Sequence, residues 1–203
     1  MITQNKQSLD QMTPEKALEI LKAGNQRFLE KKLVDRDLLE QTSLTSSGQY
    51  PFAVILGCVD SRVPPELIFD LGIGDIFSVR IAGNFVNEDI LGSMEFATKV
   101  VGSKHILVLG HTSCGAIQGA KDQVELGNLT GLVNKLQPAV AAASELSDDP
   151  EVDQIAEMNV KLTMEDIKVK SPILNELADR GEISISGAMY DVSTGHVKFL
   201  KSE

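Results

Sequence analysis

Phe52-Ala53-Val54-Ile55-Leu56-Gly57-Cys58-Val59-Asp60-Ser61-Arg62 runs from five consecutive apolar residues into a cysteine and a charged pair. An apolar run without alternation is the pattern of a strand covered on both faces, so 52–56 reads as an inner strand of a parallel sheet. A second stretch repeats it: Ile106-Leu107-Val108-Leu109 passes through Gly110 into His111-Thr112-Ser113-Cys114. Each polar group therefore starts at the carboxyl end of a strand, the edge where open α/β sheets form their sites. Two thiols, an imidazole, and a carboxylate with a nearby guanidinium, all at one edge, predict a metal centre with charged neighbours. Thiolate and imidazole suit zinc, and three protein ligands leave a fourth position open, as catalytic rather than structural zinc requires.

Outward from these strands the chain alternates. Pro64-Pro65-Glu66 opens a short helix, Gly72 and Gly74 mark a turn, and 76–81 reads as a strand. The spacing of Ile90, Leu91, Met94 and Val101 predicts one helix over 87–101, followed by a strand over 105–109. Strand, helix, strand, helix, strand implies right-handed crossovers and a parallel sheet. Beyond Cys114 the pattern is helical over 116–126, over 129–146 with a risk of a break at Pro138, over 152–168, and again from Ser171-Pro172-Ile173 to Gly181. Segments 183–190 and 196–200 flank a turn-rich link and predict a terminal strand pair.

Ahead of the sheet, Thr13-Pro14-Glu15 is a helix start, with Thr as cap and Pro at the first position, and Ala17, Leu18, Leu21, Phe28 and Leu29 form an apolar stripe. Such a helix must pack on its own domain or on a partner subunit. A short helix and a Ser/Thr-rich loop follow over 38–48. The expected architecture is one α/β domain over 1–203. It has a helical arm over 1–48 and a core over 49–203, built as a mainly parallel β-sheet flanked by α-helices and closed by the strand pair.

Composition narrows the function. The 203 residues carry 19 Lys and Arg against 29 Asp and Glu, a formal net charge of −10, which offers no basic footprint for nucleic acid and would be repelled by anionic lipid. No apolar run reaches the roughly 18 residues of a membrane span, and 1–11 lack a secretory pattern, so a cytoplasmic location is expected. In that compartment the two cysteines are better read as metal ligands than as a disulfide. Asp148-Asp149-Pro150-Glu151 reads as a solvated acidic loop, and His105 and His196 as structural or surface residues.

Taken together, Cys58 to Pro64, Gly74-Asp75-Ile76-Phe77-Ser78-Val79-Arg80-Ile81-Ala82-Gly83-Asn84, and Gly110-His111-Thr112-Ser113-Cys114-Gly115-Ala116 resemble the β-class carbonic anhydrases in order and approximate spacing. Ser171-Pro172-Ile173-Leu174 and the stretch 187–195 look like that family's C-terminal signatures, so the likeness covers most of the chain from about Gln49 onward. The resemblance implies that Cys58, His111 and Cys114 bind one Zn2+ per chain. It also implies that Asp60 and Arg62 form a catalytic dyad, and that zinc-bound hydroxide hydrates carbon dioxide reversibly to bicarbonate and a proton. Two thiolates and a neutral imidazole would leave the centre formally uncharged, and a Lewis-acidic zinc lowers the pKa of bound water to about 7. Asp60 could then accept the hydroxide proton, held ionised by a two-pronged pair with Arg62 that lysine would not reproduce.

The same resemblance implies a substrate pocket using Gln49 as donor, Phe77, Ala82 and Phe96 as apolar walls, and Gly115 for close backbone approach. Some of these would come from a neighbouring subunit, hence a homodimer or higher homo-oligomer. Phe96 departs from the tyrosine common at its position. Some family members close their site at low pH and bind bicarbonate beside a tryptophan. Here that position is Ile55 and the chain has no tryptophan, so despite Arg80 and Tyr190 an open three-ligand site is expected. Three other readings share parts of this pattern: a hydrolase of another small heterocumulene such as carbon disulfide, a non-catalytic zinc- or bicarbonate-binding protein, and a thiol redox protein. The dyad argues against the second, and the lack of a Cys-x-x-Cys pair against the third.

Overall fold

The computed structural model describes residues 3–200. Five strands form one sheet: β1 (Ala53–Gly57), β2 (Ile76–Arg80), β3 (His105–His111), β4 (Ser184–Tyr190) and β5 (Val197–Phe199), in the order β2-β1-β3-β4-β5. The first four run parallel and β5 antiparallel, as expected for an α/β core ending in a strand pair. β1 and β3 lie inside the sheet and every residue of both is buried, which explains their unalternated apolar sequences.

Because successive residues of a strand face opposite ways, β1 and β3 divide their side chains between two cores. Val54, Leu56, Ile106 and Val108 pack under α5 (Glu88–Glu95), α6 (Gly115–Lys121), α8 (Gln137–Ser144), α9 (Val152–Lys170) and α10 (Pro172–Asp179). Ala53, Ile55, Leu107 and Leu109 pack under α1 (Lys6–Asp10), α2 (Pro14–Leu29) and α4 (Pro65–Ile68). α1 lies where no helix was expected; Asn5 caps it, accepting from the Ser8 amide at 3.0 Å.

The leading helix α2 finds its partner on its own sheet. Thr13 caps it, and Ala17, Leu21, Gly24 and Asn25 form the buried stripe. A Cβ on Gly24 would lie 1.8 Å from the Phe69 carbonyl oxygen, so only glycine lets the helix approach α4 this closely. Asn25 locks the contact: its Nδ2 donates to the Ile68 and Gly195 carbonyls at 3.2 and 2.9 Å, and its Oδ1 accepts from the Val197 amide at 3.0 Å. Arg27 and Arg36 both pair with the buried carboxylate of Asp70, which ties down the chain beyond the helix. The helix thus buries Ala17 and Leu21 on its own sheet, while Leu18, Phe28 and Leu29 of the expected stripe stay half-buried. α3 (Leu38–Thr45) docks through buried Gln41, whose Oε1 accepts from the Ile73 amide at 3.1 Å, while Leu38, Leu39 and Leu44 remain exposed.

Three helix boundaries differ from the sequence expectation. The 87–101 helix is α5 followed by a wider π turn, Phe96–Val101, which lets the amides of Gly102 and Ser103 both reach the Ala97 carbonyl before β3. α6 stops at Lys121, where Gln123 turns left-handed with φ 53°. The 129–146 segment divides into α7 (Gly127–Asn134) and α8, and the break falls at Lys135-Leu136, ahead of Pro138. Pro138 lies in the first turn of α8, where its missing N–H breaks no helical hydrogen bond, so proline starts the helix instead of interrupting it. Among the described residues no helix is long and apolar enough to cross a membrane.

Candidate metal centre

Register brings the two distant motifs together. Gly57 pairs with Leu109, so β3 runs on through Gly110 and His111 beside the chain leaving β1, and Cys58 meets His111 at the carboxyl edge. His111, Thr112 and Ser113 then lead to Cys114, which caps α6. Ligand atoms of Cys58, His111 and Cys114 all lie within 4.8 Å of one another, and the three residues are buried. Both cysteines are free thiols, which removes the disulfide reading.

The donor set fits a metal ion. His111 Nδ1 lies 2.9 Å from the Thr112 carbonyl oxygen, which can only accept, so Nδ1 carries the proton and Nε2 presents its lone pair. That Nε2 is buried and has no hydrogen-bond partner among the described residues. A buried, unpartnered nitrogen is costly unless something accepts its lone pair, and a cation between the sulfurs would do so. The sulfurs compete for one proton: the hydrogen bond between them, with the Gly83 amide, favours the Cys58 thiolate and pushes the Cys114 thiol well up. A dication relieves this competition by allowing both to be thiolates. Backbone amides favour the anionic sulfurs, with Gly83 N–H on Cys58 Sγ at 3.4 Å and those of Ala116 and Ile117 on Cys114.

Beside these donors stands the charged pair. Arg62 Nε donates to Asp60 Oδ1 at 3.0 Å and Nη2 to Oδ2 at 2.7 Å, while the Arg62 amide adds a bond to Oδ1 at 2.9 Å. The guanidinium thereby holds Asp60 down at about 2. Asp60 Oδ2 lies 4.0 Å from His111 Nε2, so the carboxylate borders the space the three ligands face. Arg80 bridges from β2, its Nε donating to the Cys58 carbonyl at 2.8 Å and its Nη2 to the Asp60 carbonyl at 2.6 Å.

The structure brings five of the sequence-identified residues together: Cys58, Asp60, Arg62, His111 and Cys114. Phe77 on β2 and Phe96 at the start of the π turn meet each other edge to face, with centroids 6.0 Å apart, and Phe96 is 48% exposed. Ala82 precedes the glycine that bonds Cys58, Gly115 is the exposed first residue of α6, and Gln49 is exposed ahead of β1. Ile55 is fully buried on the α2 face of the sheet, and Tyr190 is buried at the end of β4.

Sequence reading missed three contributors. Ser113 is left-handed, with φ 54°, and its carbonyl accepts from Arg62 Nη2 at 3.2 Å. Asp153, on the first turn of α9, accepts from the Ser113 amide at 2.7 Å. Asn159, buried on the same helix, donates from Nδ2 to the Gly83 carbonyl at 2.8 Å. A polar Asn159 among apolar neighbours was the one available signal; nothing in the sequence marked the other two.

Residues 53–197 match the family described as carbonic anhydrase. Carbonic anhydrase 2 of Mycobacterium tuberculosis is 35% identical over 188 residues, spanning 90% of this chain and 90% of that protein. Among solved structures, the β-carbonic anhydrase CafA of the fungal pathogen Aspergillus fumigatus superposes with a TM-score of 0.72 at 30% identity, covering 92% of each chain. A chain from the two tetrameric β-carbonic anhydrases of the filamentous ascomycete Sordaria macrospora gives 0.70 at 28% identity, over 79% of this chain and 85% of that one.

Proposed function

The chain belongs to the β-class carbonic anhydrase family, and from that premise we propose that Cys58, His111 and Cys114 hold one zinc ion beside the Asp60–Arg62 pair for the reversible hydration of carbon dioxide to bicarbonate and a proton. One observation carries the reading: a buried, unpartnered His111 Nε2 and two thiols converge where an ionised carboxylate stands 4.0 Å away. Zinc bound there would supply the Lewis acidity that makes water lose a proton near neutral pH. Asp60, kept ionised by Arg62, accepts a hydrogen bond from the attacking oxygen and so directs its lone pair towards the carbon of carbon dioxide. Arg62 is anchored in turn by the Ser113 carbonyl, which restricts rotation of the pair. Asp60 is therefore engaged with Arg62 and is not free to act as a fourth ligand, in keeping with an open site at neutral pH and no bicarbonate-driven closure.

Carbon dioxide is apolar and uncharged, so its pocket needs dry walls and few donors. We assign the walls to Phe77, Ala82 and Phe96, the donor to Gln49, and the close backbone approach to Gly115. Gln49 and Phe96 are exposed in a single chain, so a second copy would enclose them. The half-exposed edge strand β2 and exposed Leu33, Leu38, Leu39, Leu44, Leu67 and Ile73 offer it a surface, and the protein is accordingly a homodimer or larger. Two free cysteines are in keeping with a reducing compartment such as the cytoplasm. Stopped-flow mixing with carbon dioxide tests the activity: indicator protonation faster than the buffer rate supports it, and a rate equal to buffer overturns it. Hydrogen sulfide release from carbon disulfide without carbon dioxide hydration would assign the other substrate.

A further inference from the structure

We propose that Asp153 is a positioning residue for the site, holding Ser113 in its left-handed conformation so that the Ser113 carbonyl anchors Arg62; the proposal rests on the reading above of Asp60 and Arg62 beside a metal held by Cys58, His111 and Cys114. Ser113 lies between His111 and Cys114 and has φ 54°, a conformation that costs a residue with a side chain unless its surroundings impose it. Both of its backbone polar groups are held: its N–H by Asp153 Oδ1 at 2.7 Å, its carbonyl by Arg62 Nη2 at 3.2 Å. The Arg62 nitrogen at that carbonyl is the one that grips Asp60 Oδ2 at 2.7 Å, so a rotation of Ser113 would turn the fork itself. Cys114, the next residue, carries a ligand atom and His111 lies two residues before Ser113, so the same rotation would swing Cys114 against His111.

The support is rigid. α9 spans Val152–Lys170 and buries Ile155, Ala156, Val160 and Ile167, packing against β3 and β4. From that one helix Asp153 reaches the His111–Cys114 loop, and Asn159 reaches Gly83, whose amide bonds Cys58. The first-turn position of Asp153 is also where an acidic residue favours a helix dipole, so a helix-stabilising role is the alternative to separate.

Four variants separate them: Asp153→Ala, Asp153→Asn, Ser113→Gly, and Asp153→Ala with Ser113→Gly. Two readouts are taken, the kcat and KM of carbon dioxide hydration, and the rate of zinc loss to a chelator. Removing the acceptor should lower kcat about tenfold with a smaller change in KM, and speed zinc loss, as expected for one lost hydrogen bond. Asp153→Asn keeps an acceptor oxygen and should retain most of both. Adding Ser113→Gly to Asp153→Ala should restore most of the loss, because glycine occupies the left-handed region unaided. Asp153→Ala within twofold of the parent in both readouts would overturn the proposal, as would a loss that neither Asn nor Ser113→Gly repairs. A parent protein that holds no zinc or hydrates no carbon dioxide would instead refute the underlying reading.

Discussion

Arg62 grips Asp60 with both prongs of its guanidinium, Nε on Oδ1 at 3.0 Å and Nη2 on Oδ2 at 2.7 Å, although only Ser61 separates the two residues. The turn allows it because the Arg62 amide also bonds Oδ1, folding the chain back on the carboxylate. The pair thus points its acceptor oxygen at the metal ligands without touching them, which defines a division of labour between binding and orienting.

Asp60→Asn should keep the metal and lose turnover by on the order of a hundredfold, because the amide no longer supplies a carboxylate acceptor of fixed orientation. Arg62→Lys, with a single point charge in place of the fork, should lose roughly ten- to a hundredfold through misplacement of Asp60. Metal content measured beside kcat checks both; a metal-free Asp60→Asn would assign Asp60 to the ligand set.

Asp60 should show no titration in the working range. Its folded pKa of about 2 lies below the ordinary 3.8, so its contribution is complete above pH 3.8 and is lost only as pH falls towards 2. A pH–rate profile between 5 and 9 in which Asp60→Asn removes an ionisation would contradict this.

Replacing Cys58, His111 or Cys114 with alanine should abolish stoichiometric metal and activity together, since two remaining donors hold zinc far more weakly. A single variant that retains one metal per chain excludes the replaced residue as a ligand.

His105 predicts acid sensitivity remote from the site. It is buried between Ser184 Oγ at 2.7 Å and Ser186 Oγ at 2.9 Å, and burial, with a smaller effect of Lys22, lowers it from 6.5 to about 4. The unfolded chain takes up that proton first, so stability complete above pH 6.5 falls as pH drops towards 4, by about 3 kcal/mol in total. Urea unfolding of His105→Asn should show a shallower loss between pH 6.5 and 4 than the parent; equal slopes would refute it.

Asn25→Leu should cost about 3 kcal/mol, because it strands the Val197 amide and the Gly195 and Ile68 carbonyls in a buried contact. Denaturant midpoints at constant m-value measure this, and a neutral substitution would show that α2 is not secured to its own sheet.

The sheet was legible because β1 and β3 are buried on both faces and their sequences say so, and the site because its residues begin where those runs stop. The reach of Asp153 and Asn159 was not legible: each acts on a backbone group of a loop far away in sequence, and backbone groups leave no mark in the residue string. Pro138 marked a real break but placed it slightly late, since proline suits the first turn of the helix that follows the break. The docking of α2 was undecided between self and partner because an apolar stripe does not name what covers it; Gly24 and Asn25 settle it by close approach and three hydrogen bonds.

Titrating metal-free protein with zinc, while following carbon dioxide hydration by stopped flow, decides whether Cys58, His111 and Cys114 build a catalytic metal centre. Activity should rise in proportion to added zinc and break at one equivalent per chain. Full zinc occupancy without hydration, or activity that stays level from the metal-free protein onward, would contradict it.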